Sequence, residues 1–404
     1  MNKRISLGAA IAFAFIVAAA TFSMTMIYSQ RTFNERVRSL RQREATYDKF
    51  TELDRVVREH YYGNINDMLL LDSVARGYVG GIGDPYAGYI PAQEYARMNS
   101  REESEAAGIG AVLEAGPDGY IYVTEVYPDS PAQTAGMAEG DLIVRIDDED
   151  VTADNAESLL NTIPGAPGTR IMLTVRQGAE EVFMDLTRRA VIPPTISARM
   201  VAGTRTAYIE VREFATGTSD QFNRELDRMI ASGARAVIFD LRDNSGGEIR
   251  QATRMLNRLI PPGIIYTSQR RDGTVEEVRS DGNGIDLPFA VLVNGNTASA
   301  AELFAIVLRD YDRARIVGSR TMGKGVVQDI IRLTDGSAVE LTIGFYNPPV
   351  SPNFEGEGIT PDFEVIADEG MLVIDDAADM QLQKALEVVI TEMAARENQS
   401  AEDN

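Results

Sequence analysis

The sequence predicts a multi-part α/β chain: an apolar N-terminal helix with a helical stalk, then a strand-rich unit, then a core of alternating strands and helices. Three observations predict it. An uncharged run from Ile5 to Gln30 leads into apolar residues at helical spacing. Short extended segments punctuated by glycine fill residues 108 to 189. From Pro193 to about Ala367, apolar runs alternate with amphipathic stretches. With 404 residues the chain is too long for one ordinary core and suits two or three domains.

The N-terminal element comes first. Lys3 and Arg4 precede the uncharged run, and Arg31 ends it. A helix crossing a bilayer needs about 20 residues, whereas the apolar part of a signal peptide takes about 7–15. The expectation is a single-pass anchor covering residues 1–30, with secretion after cleavage at "AAATFS" as the alternative. Lys3 and Arg4 favour a cytoplasmic N-terminus, although Arg31, Arg36 and Arg38 weaken that bias, so the remainder is expected outside the cytoplasm. In residues 31–100, Phe33, Val37 and Leu40, then Tyr47, Phe50, Leu53 and Val57, form a helical stripe suited to self-association or to packing on the chain itself. "GGIGDPYAGYIP" breaks that helix.

Composition removes several functions. A net charge of −22 argues against a nucleic-acid binder, which needs Lys and Arg to neutralise phosphates. The absence of cysteine excludes disulfides, thiol nucleophiles and thiolate metal sites. The single histidine, His60, excludes a zinc site built on several His ligands. It lies in "LDRVVREHYY", far from any serine motif, and reads as a helix-surface or packing residue.

The strand-rich unit, residues 101–190, closes with "LTVRQGAEEVFMDLTRR", a hairpin turning at Gly178. "GIG" (Gly108, Ile109, Gly110) before a strand, then "SPAQTAGMAEGDLIVRIDDEDV" and the helix "ADNAESLLNTI", resemble a PDZ domain. Such modules bind an extended chain end beside a strand edge, and backbone N–H groups of the glycine-containing loop receive its carboxylate. That resemblance assigns peptide binding to Gly108, Ile109 and Gly110. Residues 191–370 follow as the α/β core. Residues 371–404 form an amphipathic C-terminal helix, with Leu382, Leu386, Val389 and Met393 on one face, and a polar tail.

The candidate chemistry lies in the core. "LPFAVLVNGN" runs into "TASAAELFAIVLRDY" and places Ser299 at a strand-to-helix turn. Ser299 with Glu302 fits a helix-capping box, but a nucleophile also gains there from the unpaired N–H of Ala300 and the positive helix end. With one histidine in the chain, a lysine is the remaining base, and Lys324 follows one helix and one strand later. "GSRTMGKG" nearly matches a phosphate loop, yet Gly325 stands where a hydroxyl is required and "VVQDIIRL" reads as a strand. Gln328 is either a strand-face residue or, if the glycines beside Lys324 bend the chain, a residue that orients the amine. The Gly246–Gly247 pair of "DLRDNSGGEIR" is either a tight turn or half of an oxyanion hole. Asp240 and Asp243 beside it read as solvated or capping acids.

Taken together, "GGIGDPYAGYI", the PDZ-like stretch, "DLRDNSGG", "NGNTASAAELFAIVLRDY", "IVGSRTMGKGVVQ" and "GEGITPDFEV" resemble the carboxyl-terminal processing peptidases, or tail-specific proteases, from about residue 45 to the terminal helix. The resemblance implies a crotonase- or Clp-protease-like α/β catalytic core with an inserted PDZ domain. It also implies Ser299 as nucleophile, Lys324 as general base, Gln328 orienting the lysine, and Gly246 or Gly247 with Ala300 as oxyanion hole. No metal or cofactor is implied, and the expected partners are protein tails, the membrane and a second copy of the chain. Two departures are Ala301, where the family commonly has a second serine, and Pro164, where it often has an arginine tied to PDZ-controlled activation. A non-catalytic PDZ scaffold that presents protein tails is the alternative function.

Overall fold

The structure, a computed structural model, describes residues 7–105, 107–116, 118–282, 284–366 and 376–402. The chain separates into two compact units, Met1–Ala75 and Arg76–Asn404.

In the first unit, one helix runs continuously over Leu7–His60. Arg58 near its end donates to Asp54 and to Asp67, and His60 is exposed. The uncharged run Ile5–Gln30 falls partly outside the described residues. Among the described residues, no helix is long and apolar enough to cross a membrane.

The second unit holds the PDZ-like sheet and the α/β core. The former is antiparallel, ordered Ala111–Ala115, Ile121–Val126, Leu142–Ile146, Arg170–Gln177, Glu180–Thr187, with Glu149–Asp150 beside Leu142–Ile146. Alternation explains its core: Ile171, Leu173 and Val175 point inward with Ile121, Val123 and Ile143, while Arg170 and Met172 face out. The hairpin closes between Gln177 and Glu180, and Gly178 supplies the positive φ of 64° that the two-residue turn requires.

The core sheet is ordered Ile196–Met200, Thr206–Val211, Ala236–Asp240, Phe289–Val293, Ala314–Gly318 and Phe363–Glu364. The first pair is antiparallel and all others are parallel. "AVIFD" and "FAVLV" are apolar throughout because both sheet faces are covered. Phe239, Val237 and Val291 pack toward the helices Thr218–Ala231, Ile249–Leu259 and Ala300–Asp310. Ile238, Ala290 and Leu292 pack toward Leu382, Ala385, Leu386 and Val389 of the C-terminal helix Met380–Glu402. Met393 joins that cluster at its margin. Arg242 joins the two sides of the sheet: it pairs with Asp240 at 2.5 Å and with Asp379, the residue before the C-terminal helix, at 2.8 Å.

A second sheet flanks the core. Its strand Ala338–Asn347 pairs with Gly88–Ile90, Gly263–Gln269 and Val326–Arg332, and Val275–Ser280 lies beyond Gly263–Gln269. This sheet mounts "GDPYAGYI" and the strand that follows Lys324 on opposite edges of Ala338–Asn347.

Candidate active site

Three neighbouring parallel strands end in loops that meet at one place. Ala236–Asp240 leads to the Gly246–Gly247 loop, Phe289–Val293 to Ser299, and Ala314–Gly318 to Lys324. The C-terminal edge of a parallel sheet is where such folds gather their chemistry.

Ser299 sits at the N-cap of the helix Ala300–Asp310 with φ 54° and ψ −117°, outside the regions that side-chain-bearing residues normally occupy. The preceding turn is fastened to the adjoining loop. Thr297 Oγ1 donates to the Leu241 carbonyl at 2.7 Å, and Ala298 N–H donates to the Asn244 carbonyl at 3.0 Å. The Ser299 N–H donates to Glu302 Oε2 at 2.9 Å, the carboxylate half of the expected capping box.

Glu302 does far more than cap. It is fully buried, yet Oε1 also accepts from Thr321 Oγ1 at 2.5 Å and from Gly323 N–H at 2.8 Å, and Oε2 accepts from Lys324 N–H at 2.8 Å. Burial pushes its carboxyl above the ordinary range, opposed by these four hydrogen bonds. Because one oxygen binds the N–H groups of both Ser299 and Lys324, the two main chains are held as neighbours. The expected return of the chain by one helix and one strand is therefore what the fold does.

The lysine loop also answers the phosphate-loop resemblance. Every N–H from Thr321 to Gly325 donates within the protein: to the Ile359 and Thr297 carbonyls, twice to Glu302, and to Glu355. A buried carboxylate takes the donors that a phosphate would need, and a strand, Val326–Arg332, follows where a helix should.

The Lys324 side chain is half-buried, with Nζ over the ring of Tyr86, 5.2 Å from its centroid. Among the described residues it has no hydrogen-bond partner, Ser299 and Gln328 included. Gln328 lies at a bulge in the pairing of Val326–Arg332 with Ala338–Asn347, and its Nε2 donates to the Tyr86 carbonyl at 2.9 Å. Lys324 and Gln328 thus meet through Tyr86 and not directly. The bend lies before the strand, in the loop where Gly323 has φ 90°.

The two oxyanion candidates differ. Gly246 N–H is committed to Asn244 Oδ1 at 2.8 Å, and the Gly246 carbonyl accepts from Phe214 N–H at 2.8 Å. Among the described residues, the N–H groups of Gly247 and Ala300 have no acceptor. A Cβ on Gly246 would lie 2.9 Å from Ser299 Cβ and 3.1 Å from Ala300 N, so this loop runs directly against the serine. Asp240, read as a loop acid, is instead buried and paired with Arg242 and the Tyr208 hydroxyl.

Gly108, Ile109 and Gly110 line a groove of about 270 Å³ with Leu113, Leu160 and Pro164. The carbonyls of Ile109 and Gly110 accept from Ala132 and Tyr127, which fixes the loop against the PDZ-like core. Pro164, at the family's arginine position, borders this groove.

Sequence reasoning gave Glu302 only a capping role and gave none to Tyr86 or Asn244, although all three stand in the quoted motifs. A carboxylate three residues after Ser299 in an otherwise apolar helix was the available signal for the first. Tyr86 acts from 242 residues before Gln328, beyond the reach of any local pattern.

Residues 205–365 match the model of peptidase family S41, and residues 122–177 match that of a PDZ domain. A probable CtpA-like serine protease of Staphylococcus epidermidis is 27% identical over 329 residues, covering 80% of this chain and 66% of that protein, just under two thirds of its length. A carboxyl-terminal-processing protease of Picosynechococcus is 27% identical over 357 residues, covering 86% and 83%. The solved photosystem II D1 C-terminal processing protease aligns with 78% of this chain and 86% of its own, at 21% identity and a TM-score of 0.47. The serine, the glycine pair and the lysine loop all lie within the segment that matches peptidase family S41, and the chain is similar over most of its length to PDZ-containing carboxyl-terminal processing proteases.

Proposed function

We propose that this chain is an endopeptidase that cuts proteins near exposed apolar C-terminal tails, with Ser299 as nucleophile and Lys324 as general base. The observation that carries the proposal is the shared Glu302 oxygen, which keeps the main chains of both residues together. Lysine has a flexible four-carbon stem, which lets Nζ reach toward Ser299 Oγ from its place beside the Tyr86 ring.

Ser299 Oγ attacks the scissile carbonyl carbon while its proton passes to Lys324 Nζ. The carbonyl π electrons move to oxygen, where the uncommitted N–H groups of Gly247 and Ala300 meet the negative charge. Collapse breaks the C–N bond, and the ammonium returns the proton to the leaving amine. Water then attacks the acyl-enzyme, giving up a proton to Lys324; the ester C–O bond breaks, Ser299 Oγ takes that proton from the ammonium, and the new carboxyl end is released. In this scheme Gly246 shapes the oxyanion loop without donating to it, and Gln328 orients the lysine through the Tyr86 segment.

The groove at Gly108, Ile109 and Gly110 captures the substrate tail, its apolar wall formed by Leu113 and Leu160. The uncharged run Ile5–Gln30 supports attachment to the cell membrane with the protease outside the cytoplasm. The exposed apolar side chains Met68, Leu69 and Leu71 support self-association through the N-terminal helices, alongside the C-terminal helix.

The test uses the full chain in detergent and a protein carrying an appended unstructured, apolar C-terminal tail. Wild type should remove the tail, and Ser299→Ala and Lys324→Ala should each lose at least about 10³-fold in rate. If wild type leaves the tail intact, or Ser299→Ala cuts equally well, the protease reading fails, and tail binding without cutting would indicate a scaffold. N-terminal sequencing of membrane-bound protein tests the anchor, which a mature chain starting near Thr21 would overturn.

A further inference from the structure

We infer that Tyr86 is a positioning residue for the lysine base, and that Gln328 acts through it. This rests on the proposed role of Lys324. Two contacts bracket the segment from Lys324 to Gln328 on this one residue. The ring face lies 5.2 Å from Lys324 Nζ, and the main-chain carbonyl accepts from Gln328 Nε2 at 2.9 Å.

Tyr86 is itself firmly placed. Its N–H donates to Asp84 Oδ1 at 2.9 Å. Two residues later, Gly88–Ile90 pairs with Ala338–Glu340. The same strand pairs on its other edge with Ile330–Arg332, downstream of Gln328. The segments that carry the tyrosine and the lysine are therefore mounted on the two edges of one shared strand.

The chemistry gives this placement a purpose. When Ser299 attacks, its O–H bond breaks, an N–H bond forms on Lys324, and an ammonium exists until the leaving amine takes the proton. The negative face of an aromatic ring attracts an ammonium more than a neutral amine. The contact therefore strengthens as the reaction proceeds, which raises kcat rather than tightening substrate binding. The charged or titratable groups around Lys324 are Glu302 beneath its N–H, Glu355 beside Gly325, and Tyr86 itself.

Tail cleavage by the full chain is measured for Tyr86→Leu, Tyr86→Phe, and a series of progressively fluorinated phenylalanines at position 86, beside Lys324→Ala. Fluorine drains charge from the ring face while nearly preserving its shape. Tyr86→Leu should lower kcat by about 2- to 30-fold with little change in KM. Tyr86→Phe should restore most of that loss, and kcat should decline stepwise along the fluorinated series. A flat series alongside an inactive Lys324→Ala overturns the role of Tyr86 alone. An active Lys324→Ala overturns the underlying assignment of the base. If Tyr86→Leu fails to fold, the fluorinated series still decides.

Discussion

Two glycine-rich loops border Ser299, and they use their backbone donors in opposite ways. In "DNSGG" one glycine N–H is tied to Asn244 and the next is uncommitted beside the serine. In "RTMGKG" all five N–H groups from Thr321 to Gly325 are committed, two of them to one buried carboxylate. The first loop presents a donor, whereas the second wraps an acceptor and presents a side chain. Similar glycine content therefore serves unlike ends, and the difference lies in which polar group sits inside the curve.

The largest effect should come from emptying the second loop. Glu302→Ala leaves the Ser299, Gly323 and Lys324 N–H groups and the Thr321 hydroxyl without their acceptor, each at about 1–3 kcal/mol. Thermal unfolding should show a markedly destabilised or unfolded chain, with cleavage abolished. If the variant folds and cuts normally, the carboxylate is not what joins serine to lysine.

Gly246→Ala strikes the first loop. Its Cβ would meet the Ala298 carbonyl and Ser299 Cβ at 2.9 Å, in a backbone with φ 106°. Displacing the oxyanion donors should reduce kcat by about 10²–10³-fold, measured by steady-state cleavage of the tailed substrate. A full-rate Gly246→Ala enzyme would remove this loop from the chemistry.

A pH comparison probes the carboxylate more gently. Because burial raises the Glu302 carboxyl, the folded state favours its protonated form. The associated stability is present below the unfolded-state value, near 4.3, and is lost as pH rises through the higher folded-state value. Urea midpoints of wild type should therefore fall relative to Glu302→Gln as pH rises across that interval, and parallel curves would refute the shift. The smallest change expected is Glu355→Gln, since the amide oxygen can still accept the Gly325 N–H. A cleavage rate within about 3-fold of wild type is the outcome expected where one neutral hydrogen bond replaces a charge-assisted one.

The strands and helices of the core were legible because their covering is regular. "AVIFD" lies between helices on both faces and is apolar at every position, while Ile171, Leu173 and Val175 alternate because their sheet buries one face. Ser299 was legible as a cap and a candidate at once, for a helix start serves both uses. The junction of the two loops was not legible. It depends on a carboxylate whose partners lie about twenty residues away, and on "GEGITPDFEV", whose Gly356 and Ile359 N–H groups donate to the Gly323 carbonyl and Thr321 Oγ1. Gln328 was expected to turn back on Lys324 but reaches the Tyr86 carbonyl, a partner contributed by the segment that leads into the opposite edge of Ala338–Asn347.

Under the proposed mechanism, the backbone of Ser299, at φ 54° and ψ −117°, sets activity and durability against each other at a single residue. Glycine enters that region without the steric penalty borne by a side chain. Ser299→Gly should consequently melt above Ser299→Ala, and a catalytically dead chain could outlast its active parent under heat. A population selected only for thermal persistence would be expected to drift toward losing the serine.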